Sequence, residues 1–318
     1  MKLHSLFILI CIFALFACSQ VVRFQNSSLP VGYTFPAKDT LSVLTWNVEH
    51  FVDEYDNPYI RNNMEDKPKD VSKRIDLLAD MLKKINADVV VLEEFEGRAL
   101  AMRIAKEKLG NLGYRFFSGT ESPDWYMNVT IMSKLPLGVS YSYGSIYTPV
   151  VDFKDSLGRN ETQNNINARM VSAEVRVKEN FSFILTGVHL KAGRTKRDSA
   201  MRVGQMKLLQ AQSKRFLAED KNTNLLIVGD FNSTPESGEF QYLLKGDKQI
   251  PFFDPLAGTK IFSHPAEKPF WRIDHVVPNK NMLKYLAPKG VKVAEGLDMK
   301  TLQEISDHLP VVAKFVVK

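Results

Sequence analysis

The tightest constraint on this 318-residue chain is a pair of polar peptides set against apolar runs. Gly229-Asp230-Phe231-Asn232 follows Leu225-Leu226-Ile227-Val228, and Ser306-Asp307-His308 precedes Val311-Val312-Ala313. Short continuous apolar runs read as strands buried on both faces. Each polar peptide therefore lies where a buried strand meets solvent, which is where open α/β sheets tend to place their chemistry. Four other segments share this design: Thr45-Trp46-Asn47, Leu92-Glu93-Glu94, Gly187-Val188-His189 and Arg272-Ile273-Asp274-His275.

The rest of the chain supplies a frame for those ends. Leu41–Trp46 alternates as a strand, and a polar loop from Asp53 to Lys69 carries Pro58 and Pro68. Val71, Ile75, Leu78, Leu82 and Ile85 recur at the spacing of an amphipathic helix. Strands are expected at Asp88–Leu92, Tyr114–Phe117, Val129–Ser133 and Val139–Tyr143, with a helix over Ala99–Leu109. Thr148 to Asn167 reads as a polar loop, and Met170–Val177 with Phe181–His189 as a hairpin. Helices follow over Ser199–Ala218 and Glu236–Leu244, and strands over Ile273–Val277 and Val311–Val317. Such a succession predicts two packed sheets with helices outside.

The N-terminus predicts export. Lys2 precedes an apolar stretch from Leu6 to Phe16 that is short for a membrane span, as in a secretory signal peptide. It ends in Leu15-Phe16-Ala17-Cys18, which resembles a bacterial lipoprotein box in which Cys18 is acylated. Residues 1–17 are thus expected to be a signal peptide, 18–39 a lipid-anchored tether and 40–318 the folded domain, attached to the bacterial cell envelope. Cys11 and Cys18 are the only cysteines, so the domain is expected to have no disulfide; a core of this size does not need one. The formal charge of +6 favours polyanionic partners such as nucleic acid or anionic lipid.

Asp230 and Asn232, two apart, point to one side of an extended chain. Glu94 ends a buried strand, where an unpaired charge is costly and a cation would compensate it. Hard oxygen donors suit Mg²⁺, Mn²⁺ or Ca²⁺, and Glu94, Asn47 and Asp307 form the expected ligand set. His308 and His189 are the proton-transfer candidates, with Asp274 able to orient His308. Each has a plainer alternative: Asp230 and Asn232 a turn, Glu94 a salt bridge to an arginine, Asp274 an ion pair with Arg272. His50, His264 and His275 read as structural or surface groups, and Glu49 is expected to face away from the site. Lys191 and Arg194, with Lys196 and Arg197, are candidate phosphate contacts, as are Arg169 and Arg202. Trp125 and Tyr126 could stack on a base, though aromatics beside a strand are more often core.

Taken together, Trp46-Asn47, Glu93-Glu94, Val188-His189-Leu190, Gly229-Asp230-Phe231-Asn232, Arg272-Ile273-Asp274 and Ser306-Asp307-His308 resemble, in order, the motifs of the endonuclease/exonuclease/phosphatase superfamily. Asn128–Pro136 resembles its middle strand, and the likeness covers roughly residues 41 to 318. It implies a four-layer α/β/β/α sandwich of two mixed sheets. It also implies Glu94 as main metal ligand with Asn47 and Asp307, and Asp230 and Asn232 holding water and phosphate. His308, paired with Asp274, would bind phosphate or take a proton, and His189 would assist the leaving oxygen. Glu93 departs from the Gln of many members. The expected activity is a monomeric, divalent-metal-dependent phosphodiesterase, first of all a nuclease on DNA or RNA outside the cytoplasm. A sphingomyelinase-like enzyme, a small-phosphoester phosphatase and a non-catalytic surface-binding module are the alternatives.

Overall fold

The computed structural model describes residues 29–55, 70–121 and 127–317. The signal peptide, Cys18, Pro58, Pro68, Trp125 and Tyr126 lie outside the described residues. Residues 29–39 carry no helix or strand, and Thr34–Lys318 form one compact unit. Among the described residues no helix is long and apolar enough to cross a membrane.

One sheet contains β1 (Thr40–Phe51), β2 (Val89–Phe95), β3 (Phe116–Gly119), β4 (Asn128–Ser133), β12 (Leu286–Val293) and β13 (Val311–Val316), in the order β12-β13-β1-β2-β4-β3. The other contains β5 (Leu137–Ser142), β8 (Met170–Lys178), β9 (Phe181–His189), β10 (Leu225–Asp230) and β11 (Asp274–Pro278), in the order β11-β10-β9-β8-β5. Both sheets are mixed: β1 runs parallel to β2 and antiparallel to β13, and β10 parallel to β9 and antiparallel to β11.

Alternation along the strands builds three apolar layers. Leu44, Val90 and Leu92 face α1 (Val71–Ile85), α2 (Arg98–Glu107) and α6 (Met299–Ile305). Ile227, Val188 and Val277 face α3 (Lys196–Glu219) and α4 (Gly238–Lys245). Between the sheets, Leu41, Val43, Val89, Val91, Leu185, Leu226, Val228 and Val276 pack on one another. The result is the expected helix–sheet–sheet–helix sandwich, because a period of two sends successive side chains to opposite faces.

That alternation also places the polar ends. The inter-sheet face continues from Leu41 and Val43 to Thr45 and Asn47, from Val89 and Val91 to Glu93, and from Leu226 and Val228 to Asp230. Asp274 is opposite Asp230 in the β10–β11 ladder, and His189 is its partner on β9. One end of the apolar layer is therefore lined by ionisable groups.

Thr148–Asn167 differs from the expected loop. It holds a two-stranded hairpin, β6 (Thr148–Lys154) and β7 (Asn160–Gln163), with Val150 and Phe153 packed on Ala200 and Met201 of α3. Few apolar residues are needed because the hairpin is covered on one side only, so its alternation is too thin to read. β12 and α6 give no clear periodic signal either: β12 is an edge strand carrying Pro288, Lys289 and Lys292. A short helix, α5 (Lys280–Leu283), precedes β12.

The facing sheet packs tightly against Gly187. A Cβ there would lie 2.7 Å from Val91 Cγ1 and 2.8 Å from Val129 Cγ1, both across the inter-sheet layer. Gly187→Val is predicted to overpack this layer and lower unfolding free energy by about 1–3 kcal/mol, read as a lower urea midpoint at unchanged slope.

Candidate active site

The site begins as irregularity in two strands. Between the pairs Asn47↔Glu93 and Phe51↔Phe95, β1 has more residues than β2, and β2 has its own bulge between Leu92 and Phe95 against β4. The extra residues take left-handed backbone: Glu49 at φ 45°, His50 at 48° and Glu94 at 53°. Asn232, past the end of β10, adopts φ 50°. All four line one cleft of about 620 Å³. Positive φ costs energy for residues other than glycine, and such positions cluster at functional sites. The bulge turns Glu49 into the cleft, where its carboxylate accepts the Asp307 N–H at 3.0 Å. The expectation that Glu49 faces away fails because β1 is not a regular strand at this point.

Asp230 is almost wholly enclosed at this end of the layer, 1% exposed. Its oxygens accept from Asn232 N at 2.8 Å, Asn232 Nδ2 at 3.1 Å and Asn47 Nδ2 at 3.0 Å. Burial pushes its pKa up to about 7 against the opposing charge of His308, and Asp274 adds to the rise. Asn232 reaches Asp230 through a turn beyond β10, held by a second bond from Nδ2 to Leu190 O, and not through regular extended alternation. Before the turn, Gly229 lets β10 lie close against β9: at φ 138° a Cβ would stand 1.9 Å from Val188 O.

His308 is buried beside Asp274, with Nδ1 2.9 and 3.0 Å from the two carboxylate oxygens. A carboxylate accepts only, so Nδ1–H donates and Nε2 turns toward Asp230 Oδ2 (3.9 Å) and Asp307 Oδ1 (3.7 Å). Burial alone would depress the imidazole pKa, but the charges of Asp274, Asp230 and Asp307 outweigh it and raise it well above the usual histidine value. Asp274 is also held by Ser263 Oγ at 2.5 Å. Arg272 pairs with Asp254 instead, so the alternative of an Arg272–Asp274 ion pair is not what forms. The Ser306–His308 loop is anchored to β1: Ser306 Oγ donates to Asn47 O (2.6 Å) and Trp46 Nε1 to His308 O (2.9 Å).

Glu94 accepts from Asn47 Nδ2 (3.1 Å) and His50 N (3.1 Å), with His50 Nε2 at 3.6 Å and His189 Nε2 at 3.4 Å. His189 is fully buried behind Glu94 and Asp230 and is not among the residues lining the cleft. Burial, reinforced by Arg169, His308 and His50, depresses its pKa well below normal, so it is neutral. Its Nε2–H faces the two carboxylates and its Nδ1 has no hydrogen-bond partner. Glu93 is sealed in the interior, takes one bond from Thr45 Oγ1 (2.7 Å), and is driven well above the carboxylate range by burial. Held neutral, it offers a donor and an acceptor, as a glutamine does.

The cationic candidates separate. Arg194 lines the cleft with its guanidinium stacked on Trp271, 3.6 Å from the ring centroid. Arg202 also borders the cleft but is buried, paired with Glu239, and donates to Lys191 O and Gly193 O, so it braces the 191–194 loop. Lys191 is bound to Asp198 (3.1 Å) and to Ala192 O and does not line the cleft. Arg169 lies by Met127 Sδ and near enough to His189 to lower its pKa, again outside the lining.

Three residues outside the expected set border the site. His264 lines the cleft with Nε2 3.2 Å from Asp307, its ring 4.7 Å from that of His308, and Trp271 parallel to it. Arg74, on α1, donates to the carbonyls of Val48, Glu49 and Ile305, clamping the β1 bulge to the end of α6. No local pattern marks these: each acts only through contacts made after folding. His50 also lines the cleft, whereas His275 is structural as expected; burial lowers its pKa to about 4, and Nε2 donates to Ser233 O at 2.8 Å.

Glu49, Glu94, Asp230 and Asp307 thus share one cleft, with Asp274 behind His308. Oxygen-rich clusters of this kind suit a hard divalent cation, and the groups His264–Asp307–His308 and Asp230–Asp274–His308 each bring their ligand atoms together. Asn47 as oriented gives Nδ2 to Glu94 and keeps Oδ1 on Glu49 N (3.0 Å), so serving as an oxygen ligand requires its amide to turn over.

None of the curated protein sequences matches this chain. Among solved structures it resembles D. rerio TDP2 complexed with single strand DNA product (16% identity, 87% of this chain and 99% of that one, TM-score 0.58). It also resembles the human Nocturnin catalytic domain with bound sulfate anion (16%, 88% and 96%, TM-score 0.60). A third likeness is to an endonuclease/exonuclease/phosphatase from Beutenbergia cavernae DSM 12333 (17%, 88% and 72%, TM-score 0.53). At these identities the likenesses establish the fold. The family model for the Endonuclease/Exonuclease/phosphatase family matches residues 44–308, from β1 to the imidazole beside Asp274, and the chain belongs to that family of phosphoester hydrolases.

Proposed function

We propose that this chain is a divalent-metal-dependent phosphodiesterase that cleaves nucleic acid outside the cytoplasm. The observation that carries the reading is the buried Asp230 carboxylate, held by Asn47 and Asn232 and facing a His308–Asp274 pair in a cleft shared with Glu94 and Asp307. The donor set fits Mg²⁺, Mn²⁺ or Ca²⁺, with Glu94 and Asp307 as carboxylate ligands and Asn47 joining once its amide turns. When bound, such an ion supplies positive charge to the phosphoryl and leaving oxygens.

The chain's own groups do the rest. Asn232 and Asp230 orient the attacking water, and Asp230, titrating near neutrality, takes its proton. His308 is held as imidazolium by Asp274 and donates through Nε2 to a phosphoryl oxygen. His189, neutral and enclosed, lies behind both carboxylates, with Nε2 3.4 Å from Glu94 and 3.7 Å from Asp230. From that place it supports the two carboxylates from behind the cleft lining. The cation of Arg194 in the cleft, without a carboxylate partner among the described residues, and the net charge of +6 favour a polyanionic strand over a lone phosphate ester.

The N-terminal segment supports an envelope enzyme: residues 1–17 are removed, Cys18 is acylated and 18–39 tether a monomeric domain. Expressed in a bacterium, the full chain is expected in the membrane pellet, and Cys18→Ala in the soluble fraction. An unchanged distribution of the variant rules the anchor out.

Residues 19–318 incubated with plasmid DNA, RNA, sphingomyelin and inositol phosphates are expected to cleave a nucleic acid with Mg²⁺ or Mn²⁺ and to stop with EDTA. Turnover of lipid with both nucleic acids intact overturns the substrate assignment.

The pH profile follows from the two titrations. Asp230 acts as base when deprotonated, so kcat/KM rises with pH through about 7. His308 acts when protonated, so the rate falls again above its raised pKa, giving a bell. Asp274→Asn removes the charge that raises His308, and its alkaline limb is predicted to move to lower pH while kcat falls about 10²–10⁴-fold. An unmoved alkaline limb removes His308 from this role.

A further inference from the structure

We propose that Trp271, together with Arg194, forms a stacking subsite for the nucleobase next to the scissile phosphate. The inference rests on the phosphodiesterase reading and adds to it the part of the substrate that the catalytic groups do not touch. Trp271 and Arg194 both line the cleft that holds Asp230, Asn232 and His308. The guanidinium lies 3.6 Å from the indole centroid, so the ring already carries a planar group at stacking distance. Among the described residues Arg194 has no carboxylate partner, and the aromatic face is what holds it.

The indole packs against two further rings. His264 lies parallel to it at 1°, with centroids 5.9 Å apart, and the half-exposed Phe270 packs at 4.4 Å. His264 is in turn tied to Asp307, so the platform is braced against the catalytic loop and is fixed before substrate arrives. Arg194 sits on an exposed loop beside Gly193, whose φ of 102° is open to glycine alone. An aromatic ring with a planar cation at its face matches a base attached to a phosphate: the indole–guanidinium pair offers planar surface to the base and the guanidinium charge takes the anion. Sphingomyelin and inositol phosphates have the anion without the aromatic plane.

The test compares deoxyadenosine 5′-monophosphate with 2-deoxyribose 5-phosphate, which differ only by the base. Binding to residues 19–318 is measured by calorimetry with Mg²⁺ present, and tryptophan fluorescence is followed in parallel. The base-bearing ligand is expected to bind about tenfold more tightly and to quench fluorescence, in line with base–aromatic stacking. Trp271→Ala should bind the two ligands alike, while Trp271→Phe keeps the preference and loses the quenching. Equal affinities in the unmodified protein, a preference that survives in Trp271→Ala, or absence of quenching overturns the subsite. If Trp271→Ala does not fold, the unmodified protein and Trp271→Phe decide it. Cleavage of DNA or RNA without a base preference leaves the function standing and removes the subsite; a base preference in a protein that cleaves neither does the reverse.

Discussion

The structure turns on one buried carboxylate. Asp230 sits where the apolar layer between the sheets ends, 1% exposed, and burial of this depth drives an acid toward its neutral form unless other groups hold the charge. Two amides and an imidazole come from three separate chain segments to hold it. Each is itself fixed by a neighbour: Asn47 through the Ser306 hydroxyl on its carbonyl, Asn232 through Leu190, His308 through Asp274 and Trp46. Removing the compensation from one point leaves a charge stranded in a low-dielectric layer. The same isolation brings the pKa of Asp230 to where proton transfer is useful.

Backbone strain gathers at the same place: of the nine non-glycine residues with positive φ among the described residues, four (Glu49, His50, Glu94 and Asn232) line the cleft. Regular β1 and β2 would send alternate side chains to opposite faces and separate Glu49, His50 and Glu94 from the inter-sheet end. Left-handed backbone at those three residues re-aims them into the cleft, and Arg74 closes on the carbonyls that the bulge exposes. The three apolar layers supply the rigidity that keeps this conformation in place, which is why the distortion sits at the edge of the packing and not within it.

How much could be read beforehand depends on the range of the interaction. The buried strands Leu225–Val228 and Val89–Leu92, the helix over Val71–Ile85 and the polar ends that follow them were legible, because apolar periodicity and strand length are local. The hairpin from Thr148 to Gln163 was not, since its stability comes from Ala200 and Met201 on a helix nearly fifty residues away in sequence. His264 read as a structural or surface group because its meaning lies in Asp307 and Trp271. Lys191 and Arg194, alike in sequence, part company because Asp198 captures one and Trp271 the other.

The residues by themselves determined which chemical groups stand at strand ends, since a period of two and an apolar run fix where a strand stops and which side chains share its face. They also carried the ordered motifs that make the chain a member of its family. Tertiary structure decided which of those groups are buried, and so their charge: His308 protonated, His189 and Glu93 neutral, Asp230 poised near neutrality. Charge state depends on desolvation and on partners brought from distant segments, and neither exists until the two sheets close on each other.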